Sequence, residues 1–85
     1  MSLSQDAAPR RVDPGAVQAL VAEALGEAVP EDGSFIGHGG DSFHAVVVVS
    51  RIEEEWGVEI DFLEVLDSTP ASLADAVSAA LADRR

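Results

Sequence analysis

Gly39-Gly40-Asp41-Ser42-Phe43-His44-Ala45-Val46-Val47-Val48-Val49-Ser50-Arg51-Ile52-Glu53-Glu54-Glu55-Trp56-Gly57 reads two ways. Its four consecutive valines, Val46 to Val49, favour a strand, because β-branched side chains suit a pleated surface. Its flanks favour a helix. Asp41 or Ser42 can cap the start, Arg51 to Trp56 is helical in character, and Gly57 is a natural C′ residue. A valine costs a helix at most ~0.7 kcal/mol, which burial in a core offsets. The stretch is therefore predicted as a helix from Phe43 to Trp56.

Upstream, Asp13-Pro14 starts another helix: Asp13 caps free N–H groups and Pro14 suits the first helical position. Val17, Leu20, Val21, Ala24 and Leu25 recur at helical spacing. Gly26 is the expected stop, unless Glu27-Ala28 adds a last turn. Residues 29–40 form a long loop with Pro30 and four glycines. Such a loop needs pinning, and Phe35 and Ile36 are expected to drop into the core. Downstream, Val58 to Asp61 is extended and Phe62 to Leu66 makes one or two helical turns. Ser68-Thr69-Pro70 opens a last helix with Leu73, Ala76, Val77, Ala80 and Leu81 as its apolar stripe. The expected fold is all-α: three main helices plus a short one, with a leader at 1–12, a domain at 13–83 and a tail at 84–85.

The chain has 85 residues and no cysteine, so it holds one domain at most and neither disulfides nor a cysteine–zinc site. His38 and His44 lack a helical i, i+4 spacing and are expected on the surface, with no metal site. Sixteen acids face five arginines and no lysine, for a formal net charge of −11. Between Val12 and Asp83 the only Arg or Lys is Arg51. Such a surface repels phosphate backbones, which argues against nucleic acid, and anionic membranes likewise. It either provides solubility or steers the chain toward basic patches on protein partners. No signal peptide and no segment of transmembrane length is visible, so a cytoplasmic, monomeric protein is expected.

Ser42 admits three roles. It is a plain helix cap, a nucleophile or an attachment point. A cap alone leaves two glycines, a long loop and an apolar helix unexplained. Gly40-Asp41-Ser42-Phe43 is superficially similar to the Gly-Asp-Ser-Leu motif of a family of esterases. A serine nucleophile needs a base and an oxyanion hole. No histidine follows His44, and the chain is too short to wrap a substrate. An attachment serine needs only exposure, backbone freedom around it and a helix N-terminus, which favours an anion beside it.

Phe35-Ile36-Gly37-His38-Gly39-Gly40-Asp41-Ser42 resembles the F-x-x-x-G-G-D-S signature of peptidyl carrier proteins, the thiolation domains of nonribosomal peptide synthesis. Ile52-Glu53-Glu54-Glu55-Trp56-Gly57-Val58-Glu59-Ile60 is similar to the matching helix end of acyl carrier proteins. The resemblance runs from about Asp13 to Ala82 and implies a four-helix bundle of acyl-carrier type. It implies that Ser42, framed by Gly39, Gly40 and Asp41, takes 4′-phosphopantetheine from coenzyme A. A phosphopantetheinyl transferase would do this with Mg²⁺ that it holds itself. The cofactor's thiol would carry an aminoacyl or acyl thioester between adenylation, condensation or tailoring enzymes, and the carrier would catalyse nothing. Gly-Gly-Asp-Ser favours the peptidyl type, and the Ile52 to Ile60 stretch keeps a polyketide-type acyl carrier as the second reading. An acidic helical interaction module that is never modified is the rival outside the family.

Ala45, Val48, Val49, Ile52 and Trp56 share one face of the helix, assigned to the core. Phe43, Val46, Val47 and Glu54 fall toward the other side. Related carriers commonly place Arg or Glu where Val47 stands. Two explanations stay open. Phe43, Val46 and Val47 form a docking surface with Phe62, Leu63 and Leu66, with Arg51 and Glu54 at its rim. Alternatively, Val46 and Val47 are half-buried against the neighbouring loop. His38 and His44 flank the serine and either touch the phosphate or are simply exposed.

Overall fold

The computed structural model describes residues 12–83. The expected tail and all of the expected leader except Val12 lie outside the described residues. Four α-helices follow one another: α1 (Pro14–Leu25), α2 (Ser42–Trp56), α3 (Phe62–Leu66) and α4 (Pro70–Asp83). Among the described residues there is no strand. The all-α bundle of acyl-carrier type is the fold the chain adopts, and the valine run lies inside α2.

Local chemistry sets the helix ends. Asp13 accepts the Gly15 N–H at 3.1 Å, Pro14 takes the first position of α1, and Gly26 closes the helix in the left-handed region at φ +79°. Glu27-Ala28 adds no further turn. Gly57 ends α2 the same way at φ +72°. At the start of α4, Thr69 and Ser72 cap reciprocally. The Ser72 N–H donates to Thr69 Oγ1 at 3.1 Å, and the Thr69 N–H donates to Ser72 Oγ at 2.9 Å.

The core lies where α1, α2 and α4 meet, with α3 laid against α2. Val17, Leu20 and Val21 of α1 are buried there, as are Ala45, Val48 and Ile52 of α2 and Leu73, Ala74 and Val77 of α4. Val49, Trp56, Ala76, Ala80 and Leu81 pack around them half-buried. The connections also contribute apolar side chains: Val29 and Phe35 from the long loop, and Val58 and Ile60 from the link before α3.

Val12, the last residue of the expected leader, is buried, and its N–H donates to Ser78 Oγ of α4 at 2.8 Å. One expectation is corrected. Phe35 drops into the core, but Ile36 does not: it is 58 % exposed. The cause is a 3₁₀ turn at Ile36–His38, where successive side chains point about 120° apart, so only one of two neighbours faces inward. The long loop is nevertheless pinned. The Gln18 side chain donates to the Val29 carbonyl, the Ala71 N–H to the Glu31 carbonyl, and the Phe35 N–H to the Ser68 carbonyl.

Candidate functional site

The two glycines before Ser42 are required for different reasons. Gly39 sits at φ +92°, a left-handed conformation that side chains with a Cβ adopt at a cost. Gly40 has ordinary dihedrals but no room. A Cβ there would stand 2.4 Å from Phe35 Cε2 and 2.8 Å from the Phe35 carbonyl oxygen. Phe35 is thus both a core residue and the wall against which the site is built.

Asp41 follows in extended conformation and caps α2. Its Oδ1 accepts the His44 N–H at 3.1 Å. His44 Nδ1 reaches back, 2.9 Å from Asp41 Oδ1 and 3.4 Å from the Asp41 backbone nitrogen. The shorter contact places a proton on Nδ1 and the longer one a lone pair; either one ties the ring to the cap. The hydrogen bond from the His44 N–H, with the His44 ring beside it, holds the Asp41 carboxyl below its ordinary value.

Ser42 is the first residue of α2. It is exposed, and its hydroxyl makes no hydrogen bond to any described residue. Neither histidine bonds to it. His44 Nδ1 is engaged by Asp41, and His38 Nδ1 stands 3.1 Å from the Ser34 carbonyl. A base poised on the serine, which hydrolysis would need, is not formed among the described residues. A free hydroxyl at a rigid helix head suits covalent attachment. The helix end favours an anion, although Asp41 already supplies one there.

Large apolar side chains are exposed on α2 next to Ser42 and on α3. Phe43 is 70 % and Val46 55 % exposed, and Phe62 and Leu63 of α3 are exposed as well. Phe43 meets His44 edge to face, with ring centroids 5.9 Å apart. Glu54 is exposed, Leu66 is half-buried against the core, and Val47 is half-buried. The two valines therefore differ: Val46 faces out and Val47 is partly covered.

Arg51 stands apart from this group. Its guanidinium pairs with Glu23 of α1, so it faces the flank of α2 toward α1. Val47, one turn before it, shares that flank. Ile36 was missed in the sequence as a surface residue. The signal available was the turn itself, since neighbours in a tight turn cannot both be core. An open cleft of about 650 Å³ between α1 and α2 is lined by Ala19, Ala22, Glu23, Arg51, Glu55 and Trp56. It lies along the last turns of α2, away from Ser42. No helix among the described residues is long and apolar enough to cross a membrane.

A family model described as "Phosphopantetheine attachment site" matches residues 15–77, from the first turn of α1 into α4. No curated protein and no solved structure matches the chain.

Proposed function

The chain belongs to the phosphopantetheine attachment-site family, and on that premise we propose that it is a non-catalytic peptidyl carrier with Ser42 as its attachment serine. Its family carries 4′-phosphopantetheine covalently, is modified by phosphopantetheinyl transferases and works with synthetase enzymes. The observation that most supports Ser42 is its place: an exposed hydroxyl without an internal partner, at the first position of a helix capped by the preceding residue. In the transfer, Ser42 Oγ bonds to phosphorus and the pyrophosphate link of coenzyme A breaks. The nucleotide half leaves, and the hydroxyl proton passes to the transferase. Bound there, the cofactor supplies the thiol that the cysteine-free chain lacks. The protein's own contribution is to hold the tethered group at high effective concentration for successive enzymes.

Gly39-Gly40-Asp41-Ser42 supports the peptidyl type, loaded by an adenylation enzyme and read by condensation or tailoring enzymes. The Ile52 to Ile60 stretch supports a polyketide-type acyl carrier as the second reading. Phe43, Val46, Phe62 and Leu63 supply the docking surface, with Ile36 added at the loop side and Leu66 beneath it. Glu54 borders it, whereas Val47 and Arg51 belong to the flank toward α1.

Intact mass after incubation with coenzyme A and a phosphopantetheinyl transferase tests the assignment. One phosphopantetheine should be gained by the chain and none by Ser42→Ala. No gain, or a gain that persists in Ser42→Ala, sinks it. Loading of the modified chain by adenylation enzymes, and not by acyltransferases, separates the peptidyl from the acyl reading. Folded Val47→Asp should be loaded normally, and impaired loading would return Val47 to the docking surface; Val46→Asp should impair loading.

A further inference from the structure

One line of contacts runs from α3 to the serine. Ser68, in the joint between α3 and α4, is the buried polar residue of the described core. Its Oγ donates to the Val65 carbonyl at 2.7 Å and its N–H to the same oxygen at 3.1 Å, fastening the joint to the end of α3. The Ser68 carbonyl then accepts the Phe35 N–H at 2.9 Å, although thirty-three positions (68 − 35) separate them. The Phe35 carbonyl accepts the Gly40 N–H at 2.9 Å, and the Phe35 ring lies where a Gly40 side chain would be. Two residues on stands Ser42.

α3 is laid against α2 through buried Val65 and half-buried Leu66, while Phe62 and Leu63 face outward. A partner that grips α3 therefore grips the element to which the serine loop is tied. We propose that Phe35 and Ser68 are positioning residues: they fix Ser42 at a set place relative to α3, so that an enzyme docked on α3 meets the hydroxyl where its own chemistry expects it. Neither residue touches coenzyme A or the reacting atoms. This inference rests on Ser42 being the attachment serine.

Gly40→Ala tests it, because a methyl group 2.4 Å from the ring and 2.8 Å from the backbone oxygen forces both to move. In modification by a phosphopantetheinyl transferase with coenzyme A, kcat should fall about tenfold or more while KM stays within about twofold, since the docking residues are untouched. Phe35→Leu alone should also lower kcat. Combined with Gly40→Ala it should do less harm than the two singles together, because the smaller side chain makes room for the methyl group. Folded Gly40→Ala with wild-type kcat overturns the inference, and so does a change in KM alone.

Backbone amide resonances give a readout that does not need modification. In Gly40→Ala, or in Phe35→Leu should the first variant not fold, resonances of Ser42 to His44 and of Ser68 should shift together. Shifts that leave Ser68 unmoved overturn the inference. If the wild-type chain takes no phosphopantetheine, the carrier assignment fails, and the amide shifts still decide whether the line of contacts exists.

Discussion

Ser42 owes its setting to three neighbours that act by different physics. Gly39 supplies a left-handed backbone, Gly40 supplies empty space and Asp41 supplies a cap. Gly39→Ala should therefore destabilise the fold by about 1 kcal/mol through backbone strain alone, read from urea unfolding. An unchanged midpoint would show that the turn relaxes without glycine. Asp41 makes a pH-dependent contribution. Its carboxyl is held below the ordinary value by the His44 N–H, so the charged form is favoured in the folded state. That stability is present above the ordinary carboxylate value and is lost as pH falls through the lower, folded one. The stability gap between wild type and Asp41→Asn should shrink over that window, and the Asp41 carboxyl should titrate below its neighbours by NMR. A gap constant into strong acid would rule out the cap as its source.

Helix α2 shows what the sequence made legible and what it hid. Pro14, Gly26, Gly57 and Pro70 punctuate the chain by local stereochemistry, so helix order and most ends could be read directly. The flanks of the valine run decide its conformation, and α2 runs through it from Ser42 to Trp56. What stayed hidden depends on which elements touch. The Ile36 side chain turns outward only because a 3₁₀ turn sends Phe35 inward. Ala74 joins the core as well as the expected stripe of α4, and Arg51 answers to Glu23 on another helix. The packing of Phe35 on Gly40 is equally tertiary, although the residues are close in sequence. Val46 is disfavoured locally and exposed, so helix propensity does not account for it. Val46→Ala should stabilise the protein by about 0.5 kcal/mol in thermal unfolding while weakening partner loading. Loss of stability instead would place Val46 in the fold rather than at the contact.

Over the whole molecule, charge and surface character divide. The chain carries −11, yet the large side chains Phe43, Val46, Phe62 and Leu63 exposed on α2 and α3 are apolar. Acids elsewhere repel one another, and only Arg51 among the described arginines and lysines relieves them, through Glu23. Salt should screen this repulsion, since the Debye length is about 10 Å at 0.1 M. Tm should rise on adding sodium chloride, and a flat or falling Tm would mean that the acids are spaced too widely to matter. The hydrogen bond from Val12 to Ser78 carries a consequence for protein engineering. It lays the entry of the bundle beside its final helix, with Asp83 only about 7.5 Å further along the axis. Two positions this close allow the segment from Val12 to Asp83 to be closed into a ring and reopened elsewhere. A circular permutant opened between the exposed Glu27 and Ala28, with Asp83 joined to Val12 by a short glycine-rich bridge, should keep its helical circular dichroism and present the same serine from a chain threaded in a new order.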